Sequence, residues 1–241
     1  MKKHPPPGQC VYCLECHDEL TWDHILPRSW YPDTTPSDVE KWKVPCCVRC
    51  NSAYGRLEED LLVRLGLCLN SEDFRCAGVP QAVMRSLTPK VGRDEADSEI
   101  RARRRSKIKN QVVYVSDASR GILPGFGDSV GAANAPRAAV LLPKQELVRF
   151  GEKLLRGIVF RLSGKVIDHS QDIGVHFCEP GRVTYVNALL RHGDKHELGP
   201  GLSVVYAVAK DNDQAQIVRV TIWDKWVLYY TAMPRADVAQ S

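Results

Sequence analysis

The sequence predicts an α+β protein, and three observations taken in chain order carry that prediction. Cysteines crowd the start, apolar residues recur at helical spacing through the middle, and short apolar segments separated by turn residues fill the end. Of the nine cysteines, Cys10, Cys13, Cys16, Cys46, Cys47 and Cys50 lie within the first fifty positions. A secreted disulfide scaffold would be short and would carry cysteines throughout. Paired Cys-x-x-Cys spacing in a chain of 241 residues reads instead as a metal site in a reducing compartment, so a cytoplasmic location is expected. The leader Met-Lys-Lys-His, followed by three prolines and Gly8, is positive but has no apolar stretch, which argues against a secretory signal. No apolar run is long enough to cross a bilayer, and no membrane partner is expected. The net charge of +4 permits nucleic-acid binding without requiring it.

Three regions follow from these patterns: a cysteine-rich domain over 1–70, a helical basic connector over 71–120, and an α+β accessory domain of unknown role over 121–241. In the first, residues 52–69 place Leu57, Leu61, Leu62, Leu65 and Leu69 at the spacing of an amphipathic helix. Residues 81–110 read as helical in part and end in IRARRRSKIKN, the most basic run of the chain, with Ile100 and Ile108 expected toward a core. A third helix is expected where Leu147, Phe150, Leu154, Leu155, Ile158 and Val159 repeat. The remaining segments GVHFC, RVTYVNALL, LSVVYAVAK, IVRVTIW and WVLYYTAM read as strands, the last two as an antiparallel hairpin turning at Asp224 and Lys225. No catalytic motif stands out in this second half. Its open roles are substrate positioning, homodimerisation, or recognition of a particular structure or partner.

Cys10-Val11-Tyr12-Cys13 and Cys47-Val48-Arg49-Cys50 each let two thiolates from one tight turn occupy two corners of a zinc tetrahedron, so a structural Zn²⁺ is expected on Cys10, Cys13, Cys47 and Cys50. The register has competitors, because Cys13 and Cys16 are also so spaced and Cys46 adjoins Cys47. Cys10 with Cys13 is preferred because it leaves enough chain for a strand before the next motif. His17 is a further thiolate substitute, although a surface histidine is the simpler reading. A redox dithiol is the poorer alternative, since nothing resembles the βαβ context that chemistry uses.

Between the two pairs lies LTWDHILPRSW, and Asn51 directly follows the second. Cys-x-x-Cys, then Asp-His-Ile-x-Pro-x-Ser, then Cys-x-x-Cys-Asn resembles the HNH endonuclease family, and the zinc-stapled layout is similar to that of endonuclease VII type nucleases. The resemblance spans about a quarter of the chain. It implies a ββα-metal finger in which two strands deliver Asp23 and His24 and a helix delivers Asn51. It also implies an endonuclease acting on nucleic acid, with DNA the expected substrate. In that reading His24 is the general base, its ordinary pKa being about 6.5, while Asp23 and Asn51 hold a catalytic Mg²⁺ or Mn²⁺ through oxygen. The pattern departs from the family at the middle Asn, expected near Trp42-Lys43, where none stands. Glu58 and Glu59 are candidates for a third ligand, but read more simply as solvated helix charges.

Asp23 and His24 could not face one point on a regular strand, so the strand is expected to end or bend there. Asn51 also has a plainer role available as a helix cap. Arg28 is the leading phosphate clamp, with Arg49 and Arg56 flanking Asn51. Arg103, Arg104 and Arg105 in the basic run are further nucleic-acid contacts, against the plainer reading of a solvated face balanced by Asp94, Glu95, Asp97 and Glu99. The competing function is a zinc-stapled nucleic-acid-binding module that has lost catalysis.

Overall fold

The computed structural model describes residues 4–115, 137–176 and 180–235. Residues 116–136 and the last two positions of the GVHFC segment, Cys178 among them, lie outside these. The chain opens with a short antiparallel pair, β1 (Gly8–Gln9) and β2 (Cys16–His17). The reversal between them is a tight turn in which Leu14 takes the left-handed φ of 64° and Leu14 N donates to Cys10 O at 2.9 Å. A second antiparallel pair, β3 (Thr21–His24) and β4 (Lys43–Cys46), aligns Asp23 with Val44 and His24 with Lys43.

Helix α1 (Val48–Gly66) leaves this pair at once, because Cys47 takes the N-cap position and its sulfur accepts from Cys50 N at 3.4 Å. The helix therefore begins inside the second Cys-x-x-Cys, four residues earlier than its apolar spacing alone would place it. Two helices follow, α2 (Val79–Ser86) and α3 (Glu95–Lys109). Ile108 of α3 is buried as expected but Ile100 is exposed, since eight helical positions leave the two side chains about 80° apart. A strand pair absent from the sequence reading, β5 (Val112–Val115) with β6 (Arg137–Val140), comes next.

Helix α4 (Lys144–Ser163) is the hinge of the architecture. Its buried face carries Leu147, Phe150, Lys153, Leu154, Ile158 and Val159, and it touches α1 and β4 on one side and the large sheet on the other. That sheet is antiparallel, in the order β7 (Gln171–His176), β11 (Trp226–Pro234), β10 (Asn212–Ile222), β9 (Leu202–Ala209), β8 (Asp194–Gly199). The β10–β11 hairpin forms as expected, closing with Ile222 opposite Trp226. The edge strand β8 went unread because its DKHELG sequence has no apolar alternation; charged residues suit an exposed edge.

The RVTYVNALL segment is corrected from strand to helix: it forms α5 (Pro180–Leu189) and a following turn. Its valines and tyrosine favour strands only weakly, and Val186 and Leu190, four apart, instead cover Val205 and Tyr229 of the sheet. One core joins both ends of the chain. Fully buried Trp30, just past the Asp-His segment, stacks on Phe150 at 4.8 Å and Trp223 at 5.3 Å, and its carbonyl accepts from Trp223 Nε1 at 2.8 Å.

Candidate metal centre and the adjoining polar site

The four cysteines of the preferred register meet. The sulfurs of Cys10, Cys13, Cys47 and Cys50 all lie within 4.8 Å of one another, and Cys13 and Cys47 are 3.9 Å apart. Tetrahedral zinc with bonds of about 2.3 Å needs sulfurs about 3.8 Å apart, so this set could hold zinc. Backbone amides already point at the sulfurs: Cys47 N donates to Cys10 Sγ and Cys50 N to Cys47 Sγ, both at 3.4 Å. Such donors, together with the N-terminus of α1, favour thiolate over thiol. Cys16 is exposed and outside the set.

Cys46 is buried beside the set without joining it, and its thiol donates to Cys47 O at 3.3 Å. The Cys46 thiol pulls the neighbouring Cys10 thiol down to about 3 against the opposing effect of burial. His17 does not replace a thiolate; its Nε2 lies 3.6 Å from Cys13 Sγ and 3.8 Å from Glu15. Among the described residues, Cys13, Glu15 and His17 form a second close group that shares Cys13 with the first.

The metal turn also shapes what lies next to it. Tyr12, inside the first Cys-x-x-Cys, donates its hydroxyl to Asp23 Oδ2 at 2.7 Å, and burial beside Asp23 raises its own pKa. Asp23 is only 7% exposed. Its carboxylate faces Lys153, whose Nζ sits 3.0 Å away and also pairs with Glu58. The same ammonium donates to the carbonyls of His24 at 2.6 Å and Ile25 at 3.2 Å. Lys153 is fully buried, so four oxygens take the place of its hydration. Close approach of α4 makes this reach available: a side chain on Gly157, one turn beyond Lys153, would begin 3.0 Å from Ile25.

Glu58 is therefore not the solvated helix charge that the sequence suggested. It is 8% exposed, and burial pushes its carboxyl up to about 7 against the pull of Lys153. Lys153 itself was missed. Its one signal was position, a lysine among the apolar residues of the α4 stripe.

Asn51 stands in the first turn of α1, and its amide nitrogen donates to Thr21 Oγ1 at 2.8 Å, two residues before Asp23 on β3. The expected divalent-ion pair is thus differently engaged: Asn51 on Thr21, Asp23 on Tyr12 and Lys153. An ammonium already held by both nearby carboxylates does not fit a divalent ion in the same place.

His24 ends β3 and keeps a different company. It lies opposite Lys43, and burial, followed by the charges of Lys43 and Arg28, lowers its pKa to about 4. Arg28, in the turn after β3, is exposed. Lys43 falls where the middle Asn of the family pattern was sought, and sequence reasoning gave it no role. Arg49 is exposed and pairs with Glu15 at 3.1 Å at the metal turn, while Arg56 is exposed further along α1. Arg49 lies two positions before Asn51, roughly half a turn around the helix, which separates it from the Asn51 face. In α3, Arg103 pairs with Glu99 at 3.1 Å, Arg104 with Glu59, and Lys107 with Asp60 at 2.6 Å; Arg105 is exposed. Part of the basic run thus ties α3 to α1. Compared with known families, curated proteins and solved structures, the chain matches no family model, no curated protein and no solved structure.

Proposed function

We propose that the chain is an endonuclease of the HNH type, hydrolysing phosphodiester bonds in nucleic acid, with DNA as the expected substrate, at the outer end of the β3–β4 pair. One observation carries this reading: an imidazole at the end of a strand tied to a zinc-capable turn, flanked by the two cations Lys43 and Arg28. Cations around an uncharged imidazole suit an anion arriving beside a base. In the proposed step His24 takes a proton from water, and the water oxygen attacks phosphorus. The bond to the leaving 3′ oxygen then breaks, and that oxygen takes a proton from solvent. Lys43 and Arg28 offset the extra charge on the phosphate, Arg28 with a fork that can grip two oxygens. A bound phosphate would also offset the cationic repulsion that adds to burial in keeping His24 weakly basic, raising its basicity when substrate is present.

The test is plasmid nicking by the zinc-loaded protein, with and without EDTA and with His24→Ala. The expected outcome is a loss of about a hundredfold or more on removing the base. Undiminished nicking by His24→Ala would remove His24 from the mechanism. A second reading, a zinc-stapled nucleic-acid-binding module without catalysis, draws support from the engagement of Asp23 by Lys153. It is favoured if duplex, nicked, branched and single-stranded DNA are all bound with a steep salt dependence and none is cut.

A further inference from the structure

We infer that Lys153 is the resident cation of the Asp23–Glu58 site: its ammonium fills an oxygen-lined place that would otherwise take a divalent ion. The inference deepens the proposed reading, resting on it only for the expectation that Asp23 is an ion ligand. The ammonium is in contact with two carboxylates, Asp23 at 3.0 Å and Glu58, and with two carbonyl oxygens, His24 at 2.6 Å and Ile25 at 3.2 Å. Carboxylates and backbone carbonyls converging on one point are the donor set of a hard cation. Tyr12 orients the Asp23 carboxylate at 2.7 Å, and Lys153, Glu58 and Asp23 are all excluded from solvent or nearly so. Two positive centres cannot share this volume, because close cation repulsion in a buried setting is strong. A tethered ammonium is also held at the site by the fold itself and needs no encounter from solution. With both carboxylates ionised, the single charge of Lys153 leaves the cluster one charge short of neutral, and a divalent ion in its place would complete the balance.

The experiment titrates Mn²⁺ into the full, zinc-loaded chain without nucleic acid, reading bound ion by paramagnetic resonance and by broadening of Tyr12 and His24 signals. Mn²⁺ prefers oxygen ligands and leaves a thiolate zinc site alone. Wild type and Asp23→Asn are expected to behave alike, with no site at Asp23. Lys153→Ala is expected to gain one Mn²⁺ per chain, bound about tenfold or more tighter than any wild-type site, and to lose it when combined with Asp23→Asn. Binding by wild type that Asp23→Asn abolishes would overturn the inference. So would a Lys153→Ala protein that keeps its zinc and gains no ion. Should Lys153→Ala lose its zinc, Lys153→Gln, which keeps most of the buried stem, is read by the same two outcomes. Ion binding is measured without cleavage, so its failure is distinct from failure of the nuclease reading.

Discussion

Two ligand clusters stand side by side in this protein and are completed in opposite ways. The four cysteines form a sulfur cluster that could hold an ion taken from solution. Asp23 and Glu58 form an oxygen site whose cation the chain supplies itself, from Lys153 more than ninety positions away. Tyr12 joins the two, since it belongs to the metal turn and holds Asp23. A locally encoded staple thus sets the position of one side of a charge cluster, and a distant helix sets the other.

Breaking the sulfur side should have the largest effect. Cys47 is both a ligand candidate and the N-cap of α1; Cys47→Ser keeps a side-chain oxygen for the cap but removes a thiolate, so it is expected to lose stoichiometric zinc and, through that loss, to unfold the first two strand pairs and α1. Structural zinc contributes about 10–16 kcal/mol of apparent binding free energy in small zinc domains, which is more than such a unit can lose and remain folded. Metal analysis and circular dichroism check this; Cys16→Ser, outside the set, should leave both unchanged. A Cys16→Ser protein without zinc would reverse the register.

Breaking the oxygen side should rank next. Lys153→Met leaves two buried carboxylates without their counter-charge and should destabilise by about 3–5 kcal/mol in urea unfolding. Adding Asp23→Asn and Glu58→Gln to Lys153→Met should recover part of that loss. Equal stability for the single and triple variants would mean that the lysine acts through packing alone.

The third effect is smaller and concerns His24, whose carbonyl belongs to the oxygen cluster while its imidazole answers to Lys43 and Arg28. Removing a repelling cation makes protonation easier, so Lys43→Ala should move the His24 titration upward from about 4, though not fully to 6.5, because burial is the larger cause. Histidine NMR signals read it directly. Between pH 6.5 and 4 the unfolded chain binds a proton that folded His24 does not, so this residue's contribution to stability falls as pH drops through that window. A titration unmoved by Lys43→Ala would detach Lys43 from the site.

The smallest expected change lies on the surface. The Arg104–Glu59 pair joins α3 to α1 with Glu59 exposed, and Arg104→Ala should cost no more than about 1 kcal/mol. A much larger loss would mean that α3 positions the site rather than merely flanking it.

What the sequence revealed tracks how close together the partners lie along the chain. The cysteines of each Cys-x-x-Cys sit three apart, so the four-sulfur cluster is written in local spacing, and the Asp23-His24 pair was visible beside it. The β10–β11 hairpin was equally visible, as two alternating runs around a short turn. Lys153 was not, because nothing near it announces Asp23 or Glu58; only its place on the buried stripe of α4 was odd. Glu58 was misjudged for the same reason, its burial being created by a helix far along the chain. Helix α5 was misread because Val and Tyr favour strands locally, whereas the packing of Val186 and Leu190 over the sheet decides the outcome.

Helix α4 has a practical consequence for anyone wishing to move the metal turn elsewhere. A fragment ending before it would keep all four sulfurs, yet would leave Asp23 and Glu58 without a positive partner and Trp30 without Phe150. The staple is thus not a portable cassette. Grafting it into another scaffold means carrying α4 along or rewriting Asp23, Glu58 and Trp30 to suit a new neighbour.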